Sequence, residues 1–242
     1  MKKLFLDIGN SYIKAAVKDE IDWEIVFTAR TDSLELFFSW LERHYEDRSL
    51  LVCSVRNQTS KRLENRFPER EIRVLNHKDI PGELMDYKTP QTLGLDRFFT
   101  CLGAKEITPD AAIVIDAGTA CTIDYISRGT VFHGGVIMPG MQMQIDSMKL
   151  HLPSLPEADD MLPDEWPGRS SIDSVRWGAA GGFVEAVRGF LRRYEEKYGD
   201  FEIFLTGGGA TFLKKHLAAE FKLKERQYLL FEGLEVFHEL YL

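Results

Sequence analysis

The feature that most constrains this chain is an internal repeat. Leu6-Asp7-Ile8-Gly9-Asn10-Ser11 and Ile115-Asp116-Ala117-Gly118-Thr119-Ala120 carry the same Asp-x-Gly-(Asn/Thr) turn, 109 residues apart (116 − 7). Each turn ends an apolar run of strand length, Lys3 to Asp7 and Ala111 to Asp116. Each opens onto an alternating run, Tyr12 to Val17 and Cys121 to Ile126, and then a third, Trp23 to Thr28 and Gly129 to Ile137. A duplicated domain explains this most simply. The 242 residues, 44% of them hydrophobic, are enough for one large domain or two small ones, each with a core. The expected division is 1–108 and 109–242.

The rest of the pattern is alternating α and β. Apolar residues at helical spacing (Leu34, Phe37, Phe38, Leu41) behind Asp32-Ser33 predict a helix over Ser33 to Tyr45, and Leu50 to Val55 reads as a strand. Helices are expected over Ser60 to Phe67 and Thr92 to Glu106, with a short strand at Ile72 to Leu75 between them. Asp146 to Gly168, with Pro153, Pro156, Pro163 and Pro167, reads as an irregular surface loop. Ser174 to Tyr198 reads as one long helix and Phe201 to Leu205 as a strand. Helices Ala210 to Glu220 and Gly233 to the end complete the pattern.

A glycine turn directly after a strand lets backbone N–H groups approach a phosphate, and a hydroxyl or amide side chain beside it adds a donor. Gly9-Asn10-Ser11 and Gly118-Thr119-Ala120 have this form. One such turn is most often an ordinary hairpin; two at matching topological positions point to phosphate. Asp7 is the candidate to reach a phosphate-bound Mg²⁺, directly or through water. Thr206-Gly207-Gly208-Gly209-Ala210 is a third glycine turn, suited to an adenine or ribose or simply to a tight strand-to-helix connection. Lys14 is either a phosphate contact or a solvated strand residue.

Composition narrows the partners. A formal net charge of −8 gives no global electrostatic support for gripping nucleic acid or an anionic membrane. The start, Met1-Lys2-Lys3, is basic, but the apolar run Leu4-Phe5-Leu6 is too short for a signal-peptide core. Cys53, Cys101 and Cys121 read as buried reduced thiols, so a cytoplasmic protein with a small soluble substrate is expected. His77, His133 and His151 lack metal-ligand spacing. Met138, Met141, Met143 and Met148 read as core or interface packing.

The three glycine turns resemble the phosphate 1, phosphate 2 and adenosine motifs of the acetate and sugar kinase, Hsp70 and actin superfamily. Within it, Tyr87-Lys88-Thr89-Pro90-Gln91-Thr92-Leu93-Gly94-Leu95-Asp96-Arg97 resembles the Gly-x-Asp-Arg segment of type III pantothenate kinases. Asp116 to Asp124, Gly134 to Gly140, Leu205 to Gly208 and Phe231 to Leu234 continue the resemblance along nearly the whole chain. It implies a duplicated ribonuclease H-like, actin-like ATPase fold of class α/β, with two mixed five-stranded sheets flanked by helices. It also implies phosphorylation of pantothenate by ATP, the first step of coenzyme A biosynthesis.

Carried over residue by residue, it implies ATP contacts at Asp7, Ile8, Gly9, Asn10, Ser11, Tyr12, Ile13, Lys14 and Thr119. It places pantothenate at Tyr87, Gly94, Leu95, Asp96 and Arg97, and makes Asp96 the general base. Asp116 would hold a monovalent cation, K⁺ or NH₄⁺, beside the Mg²⁺ assigned to Asp7 through the phosphates. The family completes its site across a homodimer through the threonine of a Gly-x-x-Thr segment, which here is Gly168-Arg169-Ser170-Ser171, so Ser171 replaces the threonine. Two other readings stand: a non-catalytic transcriptional accessory homologue on the same fold, and a kinase for another small hydroxy compound. A regulator should have lost at least one of Asp7, Asp96, Arg97, Asp116 and Thr119, and all are present. Tyr87 and Gly94 to Arg97 count against another substrate.

Overall fold

The computed structural model describes residues 3–242; of the basic start, Met1 and Lys2 lie outside the described residues. Contacts divide the chain into two compact units. The first holds residues up to Pro109 together with Thr130–His133 and Tyr228–Leu242, and the second holds Asp110–Gly129 and Gly134–Gln227.

In the first unit, β1 (Lys3–Ile8), β2 (Tyr12–Asp19) and β3 (Asp22–Arg30) form an antiparallel meander. They are followed by α1 (Leu34–Arg43), β4 (Ser49–Ser54), α2 (Asn57–Arg66), β5 (Ile72–Val74) and α3 (Leu95–Ile107). The sheet order is β3-β2-β1-β4-β5, with β4 parallel to β1 and β5 parallel to β4. β1 buries consecutive residues, Leu4, Phe5 and Leu6, as a central strand covered on both faces must.

The second unit repeats this wiring. β6 (Ala112–Ala117), β7 (Ala120–Ile126) and β8 (Phe132–Pro139) lead to α4 (Met141–His151) and α5 (Ser171–Arg176). A five-residue π-helical stretch, Trp177–Gly181, joins α5 to α6 (Gly182–Tyr198), and then come β9 (Glu202–Thr206), α7 (Ala210–Leu217), β10 (Leu223–Glu225) and α8 (Leu229–Tyr241). Its sheet order, β8-β7-β6-β9-β10, matches the first sheet strand for strand. β6 pairs antiparallel with β7 and parallel with β9, as β1 does with β2 and β4. Two mixed five-stranded sheets flanked by helices are therefore present.

Four departures from the sequence pattern have physical reasons. α4 occupies the start of the expected irregular loop. Its residues are good helix formers, but only Ile145 is buried, so it leaves little hydrophobic periodicity. The expected single helix from Ser174 is α5, a π-helical stretch and α6; the Trp177 ring packs so tightly on Gly181 that a Cβ there would fall 2.3 Å from it. Ser33 is the N-cap of α1, yet its hydroxyl donates to Asp32 instead of capping a backbone N–H. The expected second half, 109–242, loses its last helix: α8 packs on α3 in the first unit.

That packing is unusually close. A Cβ on Gly103 of α3 would fall 1.9 Å from the Leu229 carbonyl oxygen, and one on Gly233 of α8 would fall 1.9 Å from that of Phe99. Two glycines let the helix backbones touch, and Phe98, Phe99 and Phe237 pack edge to face beside them.

Candidate active site

Each unit places its Asp-x-Gly turn at the carboxyl end of a central strand, where ligands bind in open α/β sheets. In the first unit, Asp7 lies half-buried near the end of β1, opposite Lys14 on β2 and Cys53 on β4. The turn after it is closed by Gly9 N–H donating to the Tyr12 carbonyl at 2.9 Å. Thr31 braces it from the end of β3, through its N–H to the Ser11 carbonyl and its hydroxyl to that of Gly9. Arg56, which the sequence reading did not single out, donates to the Asn10 carbonyl at 3.2 Å. Asn10 and Tyr12 are exposed, Ser11 and Lys14 half-buried, and Ile8 and Ile13 anchor the turn in the core.

The Gly94-to-Arg97 segment opens α3. Gly94 is the N-cap, and the Asp96 carboxylate folds back so that its Oδ1 accepts the Arg97 N–H at 2.9 Å. A Cβ at position 94 would stand 2.5 Å from that Oδ1. The glycine is thus needed for the carboxylate to sit where it does, which is a physical reason for a Gly-x-Asp spacing. Arg97 is only 7% exposed, so the pair is not the solvated surface ion pair that an Asp-Arg at a helix start usually forms. Tyr87 lies half-buried in the loop before α3, its ring 6.0 Å from that of Phe132.

Cys53 ties these parts together. Its thiol is pushed well above the ordinary range, first by burial and then by the negative charges of Asp96 and Asp7. Both carboxylates therefore act on one side chain at the end of β4. Nothing in the sequence pattern marked Cys53 beyond a buried thiol.

In the second unit, Asp116 near the end of β6 faces Thr122 on β7 and Thr206 on β9. Glycines wall its carboxylate. A Cβ on Gly207, whose φ is +82°, would fall 2.4 Å from Asp116 Oδ1, and one on Gly118 would fall 3.3 Å from it. The Gly209 N–H donates to the Ala117 carbonyl and the Gly140 N–H to that of Thr119, so two further glycine segments close on the one turn. Thr119 is exposed at its tip. Burial, followed by Asp116 and Asp124, pushes the Cys121 thiol up to about 12. Asp124 is almost completely buried on β7, and a Cβ on Gly135 would fall 2.5 Å from its Oδ1. It is a second site-flanking carboxylate that the motif contained but to which no role had been given.

Among the described residues no group of three or more His, Cys, Asp or Glu could hold a metal ion. A single carboxylate in a glycine-lined cradle suits a weakly charged cation, and one carboxylate plus phosphates suits Mg²⁺. The residues present therefore fit both ions. Of the histidines, His77 contacts the Leu93 carbonyl at 2.7 Å and His133 pairs with Asp86 at 3.0 Å. All three cysteines are buried and none is in a disulfide. Ser171 is exposed at the first position of α5, next to Ser170, whose hydroxyl caps Asp173 N–H. Met138 and Met141 pack on the core of the second unit, while Met143 is exposed. No helix among the described residues is long and apolar enough to cross a membrane.

The chain is similar to known proteins in sequence and in fold. The family model described as type III pantothenate kinase matches residues 3–193. A type III pantothenate kinase of Flavobacterium johnsoniae is 32% identical over 216 residues, covering 88% of each chain. Among solved structures, a Campylobacter jejuni protein described as a Baf family transcriptional activator superposes with a TM-score of 0.58 at 22% identity, over 98% of this chain and 96% of that one. MreB 5 of Spiroplasma citri bound to AMPPNP superposes with a TM-score of 0.55 at 12% identity, over 99% and 97%. The last two likenesses show the actin-like ATPase fold alone.

Proposed function

The chain belongs to the type III pantothenate kinase family and is a kinase that uses ATP, and from that premise we propose how its residues divide the work. The reaction moves the γ-phosphoryl group of ATP to the primary hydroxyl of pantothenate, the entry to coenzyme A biosynthesis. Asp96 accepts the hydroxyl proton as the oxygen attacks. Its carboxylate is held at the N-terminus of α3, where Oδ1 accepts the Arg97 N–H at 2.9 Å. Arg97 takes the pantothenate carboxylate, because a buried planar guanidinium matches that group in two hydrogen bonds. Tyr87, Gly94 and Leu95 line the rest of the substrate.

ATP phosphates lie along the turn from Asp7 to Lys14, and Thr119 is assigned as a further nucleotide contact through its exposed hydroxyl. Asp7 would hold Mg²⁺ through the phosphates, and Asp116 in its glycine cradle would hold K⁺ or NH₄⁺. Bound cations neutralise charge on the transferring phosphoryl. The observation that supports the assignment is geometric: a Cβ on Gly94, at the start of the Asp96 segment, would stand 3.8 Å from Val55 Cγ1, and the Val55 N–H donates to the carbonyl of Ile8 in the Asp7 turn at 3.1 Å.

Ser171 is read as completing the substrate site of a partner copy in a homodimer, and its exposure on α5 supports that. Three buried cysteines outside any disulfide favour a reducing compartment, the cytoplasm. The test is direct. Purified protein with ATP, Mg²⁺ and K⁺ is expected to release ADP and form 4'-phosphopantothenate when pantothenate is added. ADP release with simple sugars and none with pantothenate would overturn the substrate assignment. Equal rates when Na⁺ replaces K⁺ would remove the cation from Asp116.

A further inference from the structure

We propose that Phe132 is a positioning residue for the substrate segment, its ring fixing Arg97 and Tyr87 while its backbone, with the His133 side chain, pins the loop before α3. The inference rests on the reading that Arg97 and Tyr87 contact pantothenate. Phe132 comes from the second half of the sequence, yet the stretch Thr130–His133 belongs by its contacts to the first unit. There Phe132 pairs with Met85 in an isolated parallel bridge, and its carbonyl accepts the Asp86 N–H at 2.9 Å. His133 Nδ1 lies 3.0 Å from the Asp86 carboxylate and ties the same loop a second time. Asp86 directly precedes Tyr87.

The ring, with no exposed surface, meets both ends of the substrate segment. Tyr87 lies 6.0 Å from it at 52°, Phe98 packs edge-on at 6.2 Å, and the Arg97 guanidinium carbon stands 5.8 Å from its centroid. A guanidinium taken out of water gains from an aromatic face and is oriented by it. Leucine would fill much of the volume without offering that face, so Arg97 would lose its aim and Tyr87 its backing. An ordinary core phenylalanine would affect stability and every kinetic constant alike. A positioning residue instead acts on the substrate that its neighbours hold.

Steady-state rates of Phe132→Leu, Phe132→Tyr and Asp86→Ala, each with pantothenate and ATP varied in turn, separate the two. Phe132→Leu is expected to raise the KM for pantothenate roughly tenfold, the loss of one oriented contact. The KM for ATP should stay within about twofold. Phe132→Tyr keeps the ring face and should stay near the wild type, and Asp86→Ala, which removes a solvent-exposed tie, should raise the pantothenate KM by a smaller factor. An unchanged pantothenate KM in folded Phe132→Leu, or a matching rise in the ATP KM, overturns the inference. Should Phe132→Leu fail to fold, an unchanged pantothenate KM in Asp86→Ala overturns it. Wild-type protein without pantothenate turnover would instead refute the functional reading, and this inference with it.

Discussion

At the residue scale, the site depends on where two short carboxylates are held. Replacing Asp96 by Asn keeps the shape and the helix-start contact but removes the proton acceptor, so turnover should fall by roughly 10²–10⁴-fold. Nucleotide affinity, followed by calorimetry, should hardly move; near-normal turnover would take Asp96 out of the role. Gly94→Ala probes the same point from the other side, since its Cβ would push on Asp96 Oδ1, and a fall in kcat without a comparable change in nucleotide affinity is expected. The thiols make a separate prediction. Cys121 is raised in the fold to about 12 from 9.0. Below pH 9 both folded and unfolded chains keep the proton and nothing is lost. Between 9 and 12 only the unfolded chain releases it, so stability falls with rising pH by up to ~1.4 kcal/mol per unit for this one group. Urea midpoints from pH 8 to 10.5 should therefore fall more steeply in the wild type than in Cys121→Ala. The Asp7 and Asp116 turns stand out in the sequence because turn chemistry is local, and Asp96 stands out through the resemblance of its segment. Cys53 and Arg56 were not, since their relevance comes from strand register and from a side chain reaching across 46 positions of sequence.

Among elements, the contact between α3 and α8 sets the strictest demand. Ala is a better helix former than Gly by about 1 kcal/mol, so propensity alone predicts that Gly233→Ala stabilises. The new Cβ would lie 1.9 Å from the Phe99 carbonyl oxygen, a backbone atom that cannot turn away. Forced overpacking commonly costs about 1–3 kcal/mol, so a net loss of thermal stability is expected. The shift of α3 should also show in the pantothenate KM, because that helix carries Asp96 and Arg97. An unchanged melting temperature and KM would show that the helices can part freely. The strands and α3 could be read from periodicity and turn residues. α4 could not, because a helix that buries one residue has no stripe to detect, and the π-helical stretch before α6 could not, because it depends on how Trp177 and Gly181 pack.

For the whole molecule, duplication is the organising fact, and matching strand orders in the two sheets express it. Removing α8 by ending the chain at Gln227 would strip Phe231, Leu234 and Phe237 from the core of the first unit. Each buried side chain of this size is worth about 1.5–3 kcal/mol in transfer free energy, which together rivals the 5–15 kcal/mol that a domain has to spare. The truncated protein is expected to lose cooperative unfolding of the first unit, measured by circular dichroism, although the deletion lies far in sequence from Asp7 and Asp96. The sequence by itself determined the repeat, the two Asp-x-Gly turns and the Gly-x-Asp-Arg segment, because each is written in contiguous residues whose spacing follows strand and turn geometry. Only the tertiary structure decided that α8 returns to the first unit, that Thr130–His133 does likewise, and that Cys53 lies opposite Asp7 and Phe132 beside Arg97 and Tyr87. Those depend on which surfaces bury one another, and burial joins residues that no local period connects.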